Sequence, residues 1–396
     1  MSNNPFNVLT RCLSSRARLA TLSTMHGSVK TPIFLPVGSQ ATVRALTPQD
    51  LDEIGIDMIL CNAYHLYLRP GVETLEESGG LHKFMGWAKP ILTDSGGYQV
   101  FSLSSFAKID GDGVAFRSHV DGSEHRISPE SATAMQEKMG ADIIMALDVC
   151  PESSAERQEL SQAVEYTAQW AERCLRSHGD TGQHLFGIIQ GGIYPELRSI
   201  SARQITSIGF PGYAIGGLSL GEPKSQMWEM VEHTTALMPE DKPRYLMGVG
   251  SPEDIVEGVG HGIDVFDSAL PTRVARNGAL YTNAGRINIK RAQHKNSFAP
   301  IDEACGCFTC RNFTAAYIHH LFRCDELLAY RLATIHNLFF MQKLVDRIRM
   351  AIGEGKFAEF RKSFLETYKA TDEDRRIEQK SRSVEVKRDR RLSNFQ

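Results

Sequence analysis

Two groups of residues in this chain have the types and spacing to do chemistry. The first is Cys305-Gly-Cys307-Phe-Thr-Cys310, with His336 farther along. Three thiolates and an imidazole complete a tetrahedral zinc shell, and a shell closed by four protein ligands holds structure without leaving a position to activate water. The cysteines lie in polar sequence after Asp302-Glu303, and a helical segment starting near Asn312 would bring His336 back to them. Closing such a site contributes on the order of 10 kcal/mol of folding free energy at neutral pH. The second group is acidic: Asp94 in Asp94-Ser95-Gly96-Gly97-Tyr98, Asp148 in Asp148-Val149-Cys150, and Asp267, each at the end of a short apolar run. Carboxylates crowded into a partly apolar pocket push one another's pKa upward, which suits one as a nucleophile and another as a general acid/base. Such pairs, set about an electrophilic carbon, break glycosidic bonds through an oxocarbenium-like transition state. Asp264 differs. Ile263, Val265 and Asp267 alternate to one side of their strand, so Asp264 faces the other way and takes a structural role.

The acids owe their convergence to a repeated unit. Apolar runs bounded by turn residues occur at Thr31–Gly38, Asp57–Asn62, Pro90–Asp94, Ala141–Asp148, His184–Gln190, Gly212–Gly217, Tyr245–Gly250 and Gly262–Asp267. Between them lie amphipathic segments that begin like helices: Thr47-Pro48, Ser128-Pro129 and Ser251-Pro252 each set a capping hydroxyl before a proline at the first helical position. Eight near-continuous apolar strands alternating with helices predict an α/β fold, a (β/α)8 TIM barrel. Its expected attachments are an N-terminal antiparallel hairpin over 1–30, insertions such as the Gly-rich 103–127, and a C-terminal zinc-binding helical subdomain. The barrel is assigned to 31–277, the basic segment and zinc module to 278–369, and a charged tail to 370–396. Active sites of such barrels lie at the C-terminal strand ends, where Asp94, Asp148, Gln190, the Gly216-Gly217 pair and Asp267 would meet. The Gly-Gly pairs let backbone approach a planar ligand, and Tyr98 is placed to stack on it.

Composition narrows the class. With 396 residues, 42% hydrophobic and 23% charged, the chain has a large core. Met1 to Gly27 contains no apolar stretch of the secretory kind, no run approaches a transmembrane length, and the cysteines show no pairing pattern, so a cytoplasmic location is expected. The net charge of −3 leaves any nucleic-acid affinity to a local patch. Between Pro271 and Pro300 stand Arg273, Arg276, Arg286, Lys290, Arg291 and Lys295, with no Asp or Glu. Carboxylates beside a basic patch suggest N-glycosidic chemistry on a nucleic acid.

These residues also carry a resemblance. Leu92-Thr-Asp-Ser-Gly-Gly-Tyr-Gln-Val-Phe101, Ala214-Ile-Gly-Gly-Leu218, Tyr245-Leu-Met-Gly-Val-Gly250, Phe266-Asp-Ser-Ala-Leu-Pro-Thr-Arg273 and the zinc pattern resemble the bacterial-type tRNA-guanine transglycosylases (queuine tRNA-ribosyltransferase family), from about Phe6 through Tyr368. The resemblance implies exchange of the wobble guanine of tRNAs with G-U-N anticodons (those for Asp, Asn, His and Tyr) for a 7-deazaguanine, in queuosine biosynthesis. It assigns Asp267 as the nucleophile that holds the RNA covalently and Asp94 as the general acid/base. Ser95, Asp148, Gln190 and the Gly217 backbone would meet the base edge, and Tyr98 and Met247 its faces. Arg273 and Arg276 would read the flanking uridines and phosphates, Cys305, Cys307, Cys310 and His336 would hold one structural Zn2+, and the chain would form a homodimer, with Phe313, Tyr317 and His320 either at that interface or packed under the zinc loop. Two positions depart from the family pattern: Val149 stands where a glutamate is common, and Leu220 where a smaller valine is frequent. Cys150 and Leu220 would crowd a cyclopentenediol group, which favours the small aminomethyl base preQ1 over queuine.

Other classes fit less well. A barrel metallohydrolase needs His ligands at strand ends, and Thr31 to Gly38 offers no His-x-His. A sugar-directed glycosidase needs aromatic platforms, whereas Trp87, Trp170 and Trp228 fall in or beside helical segments. A queuine-salvaging transglycosylase remains the alternative substrate reading. A non-catalytic RNA-binding subunit is disfavoured by the presence of both Asp94 and Asp267.

Overall fold

A computed structural model describes residues 4–103, 107–152 and 155–370; from residue 371 on, the predicted charged tail lies outside them. The eight apolar runs form eight strands, here β1 (Ile33–Pro36), β2 (Ile59–Cys61), β3 (Ile91–Thr93), β4 (Ile143–Met145), β5 (His184–Ile189), β6 (Tyr213–Ile215), β7 (Arg244–Leu246) and β8 (Val265–Ser268). They pair in parallel in the order β1-β8-β7-β6-β5-β4-β3-β2. A parallel bridge between Val37 and Leu60, with Gly38 N–H donating to the Leu60 carbonyl at 2.6 Å, closes β1 onto β2. The barrel has no free edge.

The strands read as continuous apolar runs because both faces are covered. Leu35, Leu60, Leu92, Met145, Phe186, Ile188 and Val265 fill the interior. Phe34, Ile91, Ile144, Leu185, Ile215 and Phe266 belong to the outer cluster shared with the helices. Helix starts follow the predicted capping chemistry: Thr47, Ser128 and Ser251 each accept a backbone N–H in the first turn of Pro48–Ile54, Pro129–Met139 and Pro252–Gly260.

The N-terminal hairpin, Phe6–Arg11 with Arg18–Thr24, carries a third antiparallel strand, Gly27–Thr31. Phe6, Ala20, Leu22 and Val29 join the interior cluster, so this sheet closes the barrel at the N-terminal strand ends. Asp264 holds it there, accepting from Arg18 Nε at 2.9 Å and Nη2 at 2.6 Å and from the Arg244 backbone at 2.8 Å. The insertion after β3 is a three-stranded antiparallel sheet of Ala107–Asp110, Gly113–Arg117 and Glu124–Ile127. After β8 come the helix Leu270–Arg276, a hairpin of Ala279–Thr282 and Gly285–Asn288, and helices ending with Phe357–Thr367. The longest, Leu327–Gly353, buries Leu338, Met341, Leu344, Val345, Ile348 and Ile352 in the barrel's outer cluster. No helix of the described residues is long and apolar enough to cross a membrane.

Candidate active site

The C-terminal strand ends bring Asp94, Asp148 and Asp267 together at one mouth, only 6%, 4% and 8% exposed. Asp94 directly follows β3, and its carboxylate accepts three donors: Asn62 Nδ2 at 2.5 Å, Gln99 Nε2 at 2.7 Å and the Ala63 N–H at 2.9 Å. Burial pushes its pKa up to about 7; the Asn62 and Ala63 bonds oppose that rise, and the Asp267 charge adds to it. Asp94 is therefore divided between its acid and base forms near neutrality, as a general acid/base requires.

Asp267, in β8, is held differently. Tyr245 O–H at 2.6 Å and Gly248 N–H at 2.7 Å both donate to Oδ1, and among the described residues Oδ2 accepts no hydrogen bond. Burial raises its pKa and the two donors oppose the rise. The carboxylate is fixed by one oxygen and presents the other.

Asp148, just beyond β4, accepts from the Ser95 hydroxyl at 2.6 Å and from Gln190 Nε2 at 2.7 Å. Burial raises its pKa against those two bonds. Two glycines make room: a Cβ on Gly97 would lie 2.6 Å from Asp148 Oδ1, and one on Gly216 would lie 2.6 Å from Gln190 Nε2. A cavity of about 360 Å³ adjoins Gln190 and Gly217, with Gly192, Leu220 and Glu222 also in its wall and none of the three carboxylates lining it. Burial, with the Asp148 charge, pushes the Cys150 thiol up to about 12, so it stays protonated and is no nucleophile. Met247, just past β7, is half-buried against the interior cluster, and Tyr98, at the start of the helix Gly97–Leu103, is 43% exposed.

Several supporting residues escape sequence reasoning. Asn62, Gln99 and Tyr245 orient the two key carboxylates. Glu222 accepts the backbone N–H groups of Ser219, Leu220 and Gly221, fixing the loop that carries Leu220, while Val149 N–H bonds Thr167 Oγ1 at 3.0 Å. Arg198, fully buried, reaches in from the helix Pro195–Ile208 and donates to the carbonyls of Gly192 (2.9 Å), Ile189 (3.1 Å) and Gly216 (2.8 Å). Its fork ties the end of β5, which carries Gln190, to the end of β6, which carries Gly217. Only Asn62, ending an apolar run in a polar residue, gave a visible signal.

Arg273 and Arg276 lie on the helix Leu270–Arg276, directly after β8. The pKa of Arg276 is lowered by burial and then by the charges of Arg44 and Arg273, and its buried Nη1 has no hydrogen-bond partner among the described residues. Arg44, in the loop after β1, thus joins a cluster of three arginines suited to a polyanion.

The cysteine cluster assembles as expected. Cys305, Cys307 and Cys310 Sγ lie 3.7, 3.5 and 3.3 Å from His336 Nδ1. Sulfur and nitrogen ligands on a tetrahedral zinc stand about 3.6 Å apart, given the usual bond lengths. His336 Nε2 donates to the Tyr281 carbonyl at 2.7 Å, which puts the ring proton there and leaves Nδ1 free to ligate. The next residue extends the link: Asn337, fully buried, donates to the carbonyls of Pro271 and Ala279 and accepts from Tyr281 N–H, each at 3.0 Å. Through Pro271 the cluster is joined to the arginine-bearing helix.

The family model for queuine tRNA-ribosyltransferase matches residues 12–370. The chain belongs to that family. Its relatives named queuine tRNA-ribosyltransferase include one from Dehalococcoides mccartyi strain BAV1, 57% identical over 368 residues, covering 93% of this chain and 94% of the relative. Those from Halothermothrix orenii and Geobacillus kaustophilus are 54% and 53% identical, covering 92% of this chain and 97% and 96% of theirs.

Proposed function

We propose that the protein is a cytoplasmic tRNA-guanine transglycosylase that replaces the wobble guanine of G-U-N tRNAs with preQ1. The observation that carries this reading is the contrast between two neighbouring carboxylates, Asp267 pinned through one oxygen and Asp94 titrating near neutrality. In the first half-reaction Asp267 Oδ2 attacks the anomeric carbon of the ribose. The bond to guanine breaks, and the departing base takes a proton from Asp94. In the second, the incoming base gives its proton to Asp94 and attacks the same carbon, expelling Asp267. The ester keeps the sugar activated, so the exchange needs no nucleotide cofactor.

Asp148, Ser95, Gln190 and the Gly217 backbone meet the polar edge of the base. Tyr98 and Met247 cover its faces once it has left the anticodon stack, which costs a few kcal/mol. Arg273 and Arg276, with Arg44 beside them, hold the flanking nucleotides. The choice of preQ1 over queuine is supported by Leu220 in the cavity wall and by Glu222, which fixes its loop. Zinc in the Cys305, Cys307, Cys310 and His336 shell holds the C-terminal helices and takes no part in the reaction. We assign the homodimer interface to the surface that carries Tyr317, which is 38% exposed and stacks on Phe313 of its own chain with ring centroids 5.3 Å apart.

Trapping the intermediate tests the mechanism. Wild type incubated with a G-U-N tRNA should give a covalent RNA adduct on a denaturing gel, and Asp267→Ala should give neither adduct nor base exchange. Exchange at the wild-type rate in that variant would refute it.

A further inference from the structure

At the end of the barrel opposite the carboxylates, three segments distant in sequence bring together His26, His82 and Asp142. His26 lies in the turn between Arg18–Thr24 and Gly27–Thr31, His82 in the helix Leu81–Met85, and Asp142 just before β4. His26 Nδ1 is 2.9 Å from Asp142 Oδ1, and His82 Nε2 is 3.2 Å from Oδ2. The two imidazoles stack, with centroids 3.6 Å apart and planes at 17°. The Asp142 side chain is fully buried, that of His82 is 12% exposed and that of His26 37%, so the group is enclosed except on the His26 side. None of the three takes part in the proposed reaction.

The carboxylate is oriented by backbone: His26 N–H donates to Oδ1 and Ile91 N–H to Oδ2, both at 2.9 Å. Each oxygen keeps a lone pair for the imidazoles. A simple hydrogen-bonded triad accounts for His26 but not for His82, whose buried Nε2 is not aligned to bond Asp142 and has no other partner among the described residues. We propose that His26 Nδ1, His82 Nε2 and the Asp142 carboxylate form a site for a divalent transition-metal ion, separate from the Cys305, Cys307, Cys310 and His336 site.

The spacing fits such an ion. Ligand atoms about 2.1 Å from a metal stand about 3.0 Å apart at octahedral angles and about 3.4 Å at tetrahedral ones. The two nitrogen to oxygen separations, 2.9 and 3.2 Å, fall close to that range. Two imidazoles and one carboxylate suit zinc, nickel or cobalt, whereas magnesium and calcium take oxygen ligands. Stacked rings hold their lone pairs nearly parallel, so binding requires them to splay about the Cβ–Cγ bonds. Backbone hydrogen bonds to the ligating carboxylate are the support that metal sites use to hold their ligands. An ion here ties the N-terminal sheet and the helix Leu81–Met85 to the base of β4, so its role is structural, with water in the remaining positions.

The test uses the full chain with its cysteine site already filled by zinc. Nickel or zinc is titrated in, bound metal per chain is measured by mass spectrometry after dialysis, and melting temperature is followed in parallel. Wild type should bind a second equivalent and melt higher with it. His26→Ala, at an exposed turn where folding is not at risk, and His82→Ala should each weaken the second equivalent by about tenfold or more while keeping the cysteine-bound zinc. One metal per chain in wild type, or a second equivalent that survives both substitutions, would overturn the proposal.

Discussion

Replacing Asn62 with leucine removes one of the three donors that stabilise the anionic form of Asp94, while nearly conserving volume. Asn62 is 7% exposed, so water has little access to take its place. A hydrogen bond to a charged group contributes about 1.5–3 kcal/mol, and about 1.4 kcal/mol is a factor of ten in acid dissociation. Asp94, already pushed up to about 7, should then titrate between about 8 and about 9. At neutral pH its ionised fraction falls from about one half to between about 7% and about 0.6%. The second half-reaction, which needs the ionised form to accept the incoming base's proton, should slow roughly seven- to eighty-fold. The first uses the protonated form and gains at most about twofold, so the covalent adduct should accumulate. The slowing of the second half-reaction and the accumulation of adduct should fade as pH rises through the new pKa. The assay is guanine exchange into a G-U-N tRNA across the neutral and mildly alkaline range, with the adduct quantified on denaturing gels. An unchanged pH profile, or a loss of rate that alkali does not restore, would refute the reasoning.

Two further changes probe the rest of the site. Leu220→Ala should enlarge the cavity and let labelled queuine into the tRNA with little loss of preQ1 incorporation; continued exclusion of queuine would move the size limit to another residue. Asn337→Ala leaves the Pro271 and Ala279 carbonyls and the Tyr281 N–H without their partner and should cost at least about 2 kcal/mol of stability. Because Asn337 links the cysteine cluster to the arginine-bearing helix, the KM for tRNA should rise while the KM for free base and the bound zinc hold; equal changes in both KM values would argue against that link.

The barrel was legible because each strand is a short apolar run stopped by a polar or glycine residue, and the stops are the catalytic candidates. Asp94, Asp148 and Asp267 could be picked out by position for the same reason. The third N-terminal strand was hidden because Gly27–Thr31 runs directly into the apolar segment of β1. Residues that orient the carboxylates were hidden for a different reason. Tyr245 sits at the start of its apolar run and reads as core, yet its hydroxyl reaches Asp267 across to the next strand. Arg198 lies in the first turn of its helix, between Leu197 and Ser199, and reads as surface, although it is fully buried on three carbonyls. Such partners depend on which strand ends meet in space. The cysteine cluster needed no such knowledge, since three of its four ligands are local in sequence.

The central claim is base exchange into tRNA, and the most direct test is incorporation of labelled guanine, preQ1 and queuine, one at a time, into an unmodified tRNA with a G-U-N anticodon. The account predicts incorporation of guanine and preQ1 and none of queuine. Queuine incorporation would make the protein a salvage enzyme, and failure of all three bases to enter the tRNA would contradict the transglycosylase assignment itself.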